Sequence, residues 1–344
     1  MDSSVLSMTT AMIRTEGLTR HFTVKKETVE AVRGLDLTVD EGELVAMLGP
    51  NGAGKSTTLR MLTTLIAPTA GTAHVVGHDV VTQRSAVRRR IGYIGQGNGA
   101  GHSQRGRDEL ISQGRAYGMS GRDAKRRADE LIESLGLAAV ADRVVSSLSG
   151  GQRRRLDVAM GLIHAPQLLF LDEPSTGLDP QNRANLQEHI VKLRAEHGTT
   201  VMITTHYLDE ADAMAERIMV VDHGRLIADD TPARLKAQHA GDHITLGFAD
   251  EHDARAAVPA TRRLHGADVH VAGSCLHVRI TDAPHVVAPL LHDIGEFGIT
   301  VDSVEVARPT LDDVFLNLTG RSLREGGAAP STDTTDRARQ EIAA

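Results

Sequence analysis

Apolar residues along the chain fall into two kinds of run. One kind is short and unbroken: residues 43–48 contain Leu44-Val45-Ala46-Met47-Leu48, and Leu168-Leu169-Phe170-Leu171 precedes Asp172. Runs of this length without polar alternation mark strands buried on both faces of a parallel sheet. Residues 199–205 form a third such strand, and Ile91-Gly92-Tyr93-Ile94 and His74-Val75-Val76 are shorter ones. The other kind recurs at near-helical spacing, as in Leu59, Met61, Leu62, Leu65 and Ile66, or Leu131, Ile132 and Leu135. A helix is also expected over 182–197. Strands alternating with helices predict an α/β fold around a mainly parallel sheet.

Three regions depart from that pattern. Residues 13–39 carry short β-like stretches broken by glycine and charge, which predict antiparallel strands leading into the 43–48 strand. Residues of about 97–164 are rich in Arg, Ala, Glu and Leu and predict a helical insertion. The main unit is expected to span 12–240. From 241 to 320 the pattern restarts, with strands over 244–248, 277–280 and 299–306 and a helix over 286–295. That pattern predicts a small α+β appendage of ferredoxin-like type. The polar leader 1–11 and the tail 321–344, nearly devoid of large apolar residues, are expected to be disordered.

Composition narrows the class. The 344 residues are 40% hydrophobic but only 2% aromatic, with no Trp, so the core must be built from Leu, Val, Ile, Ala and Met. The single cysteine, Cys275, rules out an intramolecular disulfide and suits a reducing compartment. A net charge of −7 gives no electrostatic case for nucleic acid as the main partner. The clusters Arg88-Arg89-Arg90, Lys125-Arg126-Arg127 and Arg153-Arg154-Arg155 read as solvated helix faces. No apolar stretch approaches the ~18–20 residues that span a bilayer. A secretory signal is not expected at the N-terminus, so any membrane role would be borrowed from another polypeptide.

Candidate chemistry begins at Gly49-Pro50-Asn51-Gly52-Ala53-Gly54-Lys55-Ser56, which fits the P-loop pattern G-x-x-x-x-G-K-[ST]. It lies between a predicted strand and a predicted helix, as a P-loop must. The glycines let backbone N–H groups converge on phosphate oxygens, and the helix N-terminus, at Ser56-Thr57, adds partial positive charge. Lys55 would reach the β- and γ-phosphates of ATP, and the Ser56 hydroxyl would ligate Mg²⁺.

Further motifs follow in order. Leu148-Ser149-Gly150-Gly151-Gln152 puts a hydroxyl and exposed backbone N–H groups at a helix start, a second anion-binding surface; the same residues also suit an ordinary helix cap. Asp172 and Glu173 end a buried strand, where two adjacent carboxylates are costly unless they meet a cation. Ser175-Thr176-Gly177-Leu178-Asp179-Pro180 is a turn, and His206 follows the 199–205 strand. Gln96 closes Ile91-Gly92-Tyr93-Ile94-Gly95-Gln96 and precedes the glycine-rich, flexible-looking 97–101.

As an ordered set over 13–235 these motifs resemble the ATPase subunit of an ATP-binding cassette (ABC) transporter. The resemblance implies that Asp172 holds Mg²⁺, that Glu173 orients or deprotonates the attacking water, and that His206 contacts the γ-phosphate. It implies that Gln96 senses Mg²⁺ and couples to the membrane partner, and that Phe22 stacks on adenine; Phe22 as a β-core residue stays open. It further implies a homodimer in which Ser149 and Gly151 of one copy close over the ATP held by Lys55 and Ser56 of the other.

Finer segments point to a subfamily. Gly151-Gln152-Arg153-Arg154-Arg155-Leu156-Asp157, Thr204-Thr205-His206-Tyr207-Leu208-Asp209-Glu210-Ala211-Asp212 and Arg308-Pro309-Thr310-Leu311-Asp312-Asp313-Val314-Phe315-Leu316 resemble daunorubicin/doxorubicin-resistance ATP-binding proteins. That resemblance implies service to an ABC-2 type multi-pass permease at the cytoplasmic face of a bacterial membrane, exporting hydrophobic drugs. The cassette motifs themselves leave open export of lipid, polysaccharide or peptide, or import. A soluble ABC protein acting on ribosomes or DNA is disfavoured by the single cassette and the acidic charge.

Overall fold

The computed structural model describes residues 11–321 except Asn98, His102 and Thr281. The expected leader and tail therefore lie outside the described residues, apart from Ala11, which opens the first strand, and Arg321. The chain divides into two compact units, split between Asp230 and Thr231.

In the first unit the elements run, in chain order, β1 (Ala11–Val24), β2 (Glu27–Asp40), β3 (Leu44–Leu48), α1 (Lys55–Leu62), β4 (Ala70–Val75), β5 (His78–Asp79), α2 (Arg84–Arg88) and β6 (Ile91–Ile94). Then come α3 (Gly106–Ala116), α4 (Gly121–Ser134), α5 (Gly150–Leu162), β7 (Leu168–Asp172), α6 (Pro180–His197), β8 (Thr200–Thr205), α7 (Leu208–Met214), β9 (Arg217–Asp222) and β10 (Arg225–Asp230). The central sheet has the order β10-β9-β3-β8-β7-β6, with only β10 antiparallel. β3, β7 and β8 are buried along their whole length, which is why their residues do not alternate. One core cluster packs Leu59, Met61 and Leu62 of α1 with Met47, Phe170, Met202 and Met219 of the sheet. Flexible methionines fill the space that an aromatic-poor chain leaves.

Residues 13–39 are not several short strands. β1 and β2 form one long hairpin turning at Lys25 and Lys26, both in the left-handed region. The register shifts between Thr15 and Leu18 and between Leu18 and Arg20, so bulges absorb the breaks that looked like strand ends. The hairpin joins β4 and β5 in a separate antiparallel sheet. The helical insertion consists of α3, α4 and α5, and the buried stripe of α4 is Ala124, Ala128, Leu131 and Ile132, a helical repeat.

The second unit contains α8 (Pro232–His239), β11 (Asp242–Gly247), α9 (Glu251–Ala257), β12 (Asp268–Ala272), β13 (Cys275–Ile280), α10 (Ala283–Glu296), β14 (Ser303–Ala307) and α11 (Leu311–Thr319). Its sheet order, β12-β13-β11-β14, is wholly antiparallel. With α9 and α10 as crossovers this is the split β-α-β-β-α-β arrangement of ferredoxin-like folds. Ile244, Leu246, Leu276 and Val278 pack on Ala254, Ala257, Leu290 and Ile294. The unit begins ten residues before the expected boundary. α8 packs against α11, and Asn317 donates to the His239 carbonyl, a pairing no local pattern announces.

Candidate active site

The P-loop leaves β3 and returns as α1, whose first residue is Lys55. Gly54 sits at φ 103°, and a side chain there would meet the Ala31 carbonyl at 2.4 Å, so only glycine fits. Lys55 is buried. Its Nζ donates to the carbonyls of Gly49 (2.7 Å) and Pro50 (3.0 Å) and lies 3.4 Å from Glu173 Oε1. Asn51 and Gly52 are exposed at the loop tip, while Ala53 is buried beneath it.

The parallel pairing of β7 with β8 sets Asp172 opposite Thr204. Asp172 Oδ1 accepts from Thr204 Oγ1 (2.6 Å) and from Ser56 Oγ (2.8 Å), and Gln96 Nε2 donates to Ser56 Oγ (3.0 Å). Glu173 turns at φ 46°, a strained conformation for a non-glycine residue, held because its N–H donates to Thr204 O and Oγ1. The turn aims its carboxylate at Lys55 on one side. On the other, Oε2 lies 3.2 Å from His206 Nδ1 and 3.3 Å from Thr176 Oγ1. Lys55, Ser56, Gln96, Asp172, Glu173 and His206 thus converge on one site. Thr204 belongs to it and was not read from the sequence; its only signal was its place one strand over from Asp172.

Ser149 and Gly150 are exposed at the start of α5. Ser149 Oγ accepts from Gln152 N, and Gln152 Oε1 from Ser149 N, a reciprocal capping box. Gly151 is buried against α6, where a side chain would meet Asn182 Oδ1 at 2.3 Å. No hydrogen bond among the described residues joins this stretch to the P-loop cluster. Phe22 is half-buried in the β1–β2 hairpin with the Arg20 guanidinium 4.6 Å above its ring. Its cross-strand partner Val29 lies two residues along β2 from Ala31, whose carbonyl faces Gly54.

Residues 32–176 match the family described as ABC transporter. Daunorubicin resistance ATP-binding protein DrrA3 of Streptomyces coeruleorubidus is 44% identical over 322 residues, 94% of this chain and 100% of that protein. The chain belongs to the ATP-binding proteins of ABC transporters. Doxorubicin resistance ATP-binding protein DrrA of Mycobacterium tuberculosis is 36% identical (86% of this chain, 91% of that one), and linearmycin resistance ATP-binding protein LnrL of Bacillus subtilis is 36% identical (86% and 95%). Among solved structures, a dimeric ATP-binding cassette, MJ0796, in a post-hydrolysis state with ADP and Pi aligns at a TM-score of 0.59 and 26% identity, over 64% of this chain and 98% of that one.

This ABC ATPase hydrolyses ATP, and the electrostatics of its site suit that chemistry. Burial pushes the Asp172 carboxyl up, only partly offset by the Thr204 and Ser56 hydroxyls. Burial also acts on Glu173, but His206 and Lys55 outweigh it and hold that carboxyl below its ordinary value. Lys55 is pushed down by burial against the pull of Glu173. Such a cluster favours a ligand that brings both negative charge and a cation. Asp172, Ser56 and Gln96 offer oxygen donors, the set a hard divalent ion takes. Among the described residues no group of three or more His, Cys, Asp or Glu could hold a metal. A cation here would therefore draw its other ligands from phosphate oxygens and water.

Two expectations about neighbouring residues change. Arg154 is not on a solvated face: it is 7% exposed and donates to the backbone carbonyls of Gly95, Gly97, Asp172 and Pro174. The glycine-rich segment after Gln96 is also anchored, because Asp157 Oδ1 accepts from the N–H groups of Gly99 and Ala100, each at 3.0 Å.

Proposed function

We propose that this ABC ATPase powers an ABC-2 type exporter that moves a hydrophobic drug or antibiotic of anthracycline-like chemistry through a separate multi-pass permease. It would act at the cytoplasmic face of a bacterial membrane. The observation that carries the hydrolytic half is the Glu173 carboxylate, turned by its strained backbone between Lys55 and His206. The cargo half draws on the daunorubicin and doxorubicin resistance relatives, and a separate permease on the fact that no helix among the described residues is long and apolar enough to cross a membrane. A wider range of exported cargo is the second reading, favoured by the linearmycin resistance and Nod factor export relatives at 36–37% identity.

In this reading two copies sandwich two ATP molecules. The backbone N–H groups of 49–56 bind the phosphates of one, Lys55 leaves its loop carbonyls for the β- and γ-phosphates, and Phe22 stacks on adenine, worth roughly 1–3 kcal/mol. Ser56, Asp172 and Gln96 would hold Mg²⁺, which would supply positive charge beside the phosphoryl oxygens. The exposed Ser149 and Gly150, with Gly151 behind them, close on the γ-phosphate held by the other copy. Glu173 accepts the proton of the attacking water or orients it, and His206 fixes the carboxylate and contacts the γ-phosphate. Loss of that phosphate removes the charge-assisted contacts that joined the copies, and the pair opens. Co-expression with a candidate multi-pass permease, followed by accumulation of a fluorescent anthracycline, tests the cargo. Lower accumulation than with Glu173→Gln is expected; equal accumulation, with ATP hydrolysis intact in the wild type, removes the drug-export reading.

A further inference from the structure

Gln96 stands in a segment with little local restraint: Gly95, Gly97, Gly99 and Gly101 alternate around it. Its amide nevertheless sits 3.0 Å from Ser56 Oγ. The restraint comes from α5. Arg154 Nη1 donates to Gly95 O (2.8 Å) and to Gly97 O (3.4 Å), the carbonyls on either side of Gln96. The same guanidinium donates through Nε to Pro174 O (2.7 Å) and through Nη2 to Asp172 O (3.4 Å), the carbonyls on either side of Glu173. One turn further along the same face of α5, Asp157 accepts from the N–H groups of Gly99 and Ala100.

We propose that Arg154 and Asp157 are positioning residues for hydrolysis, with Arg154 bracketing both Gln96 and Glu173 and tying them to the helix that Ser149 caps. The inference rests on the reading of Gln96 and Glu173 as parts of the nucleotide site. Burial pushes the Arg154 guanidinium below its ordinary value, against the pull of Asp157, Asp172 and Glu210, so its place in the interior is costly. Only arginine's planar fork can serve four carbonyls on two chain segments; lysine carries the charge but not the fork. Because Ser149 caps α5, a displacement of the Leu148–Gln152 turn would reach Gln96 and Glu173 through the helix rather than be lost in the glycine loop.

The test is steady-state ATP hydrolysis by the full chain with Arg154→Lys, in the wild-type and Gln96→Ala backgrounds. In the wild-type background kcat is expected to fall roughly 10–100-fold, as for residues that orient a ligand of the reacting centre, with KM for ATP little changed. In the Gln96→Ala background the same change costs a clearly smaller factor, because part of its effect runs through Gln96. Equal factors in the two backgrounds overturn the proposal. Should Arg154→Lys fail to fold, Asp157 decides. Asp157→Asn keeps the Oδ1 acceptor and retains kcat, whereas Asp157→Ala loses roughly 10–100-fold; an active Asp157→Ala overturns the proposal. Gln96→Ala with undiminished hydrolysis would sink the reading of Gln96 and this inference with it. An impaired Gln96→Ala beside an unimpaired Arg154→Lys sinks this inference alone.

Discussion

The two units bury different things. Among the described residues every buried charged side chain, Lys55, Arg154, Asp157, Asp172, Glu173 and Glu210, lies in the first unit. Among the described residues of the second, the only buried polar side chain is Thr261, whose hydroxyl donates to the Val258 carbonyl. The second unit is held by its apolar sheet face and α9 and α10, and its described titratable residues are half-buried or exposed. The first keeps ions in its interior at a cost in free energy that packing alone would not demand. That cost, concentrated at the ends of β3 and β7 and along α5, marks where the molecule works.

The largest effect that could break this contrast is on turnover. Glu173→Gln should lower ATP hydrolysis by about 10²–10⁴-fold while nucleotide still binds, and light scattering should find the variant trapped as an ATP-bound dimer. Near-normal phosphate release would remove Glu173 from its role. Next, Lys55→Ala should cost about 2–5 kcal/mol of ATP binding, since it removes a buried charge from the phosphate cradle. Unchanged affinity by calorimetry would contradict the cradle.

The third test crosses from one unit to the other. Leu276→Ala, in the core of the second unit, should cost that unit about 2–5 kcal/mol of stability and leave ATP affinity intact. A matching loss of ATP affinity would mean that the units do not divide the labour. The smallest effect concerns pH. Burial raises the Glu210 carboxyl above its ordinary value, so the folded state holds its proton more tightly than the unfolded one. The wild type should therefore lose stability relative to Glu210→Gln as pH rises through the ordinary carboxylate range to the raised value, and the difference should be flat above it. Urea denaturation of both proteins over that range would show the slope; a difference independent of pH would argue that the carboxylate is as well solvated as in the unfolded chain.

Local chemistry made much of the first unit legible. Unbroken apolar runs marked β3 and β7 because a strand buried on both faces has no polar positions to alternate with. Gly54 and Lys55 were readable because a phosphate cradle needs those residue types at that spacing, and Asp172 with Glu173 because paired carboxylates at a buried strand end need a reason. In the second unit the strand pattern sufficed for β11 and β13. It did not suffice for β12, where only Val269 and Val271 alternate with polar residues, or for α8, whose place was decided by α11.

What the sequence alone determined was the inventory: the cassette, its ordered motifs and the residue types able to do the chemistry, all carried by short-range pattern. Only the tertiary structure decided the contacts between segments distant in the chain. Thr204 meets Asp172 because β8 lies beside β7. Arg154, one of three arginines indistinguishable in sequence, alone turns inward to grip the carbonyls around Gln96 and Glu173. Helical periodicity tells which residues share a face, but which face meets a loop is settled by the packing of the whole.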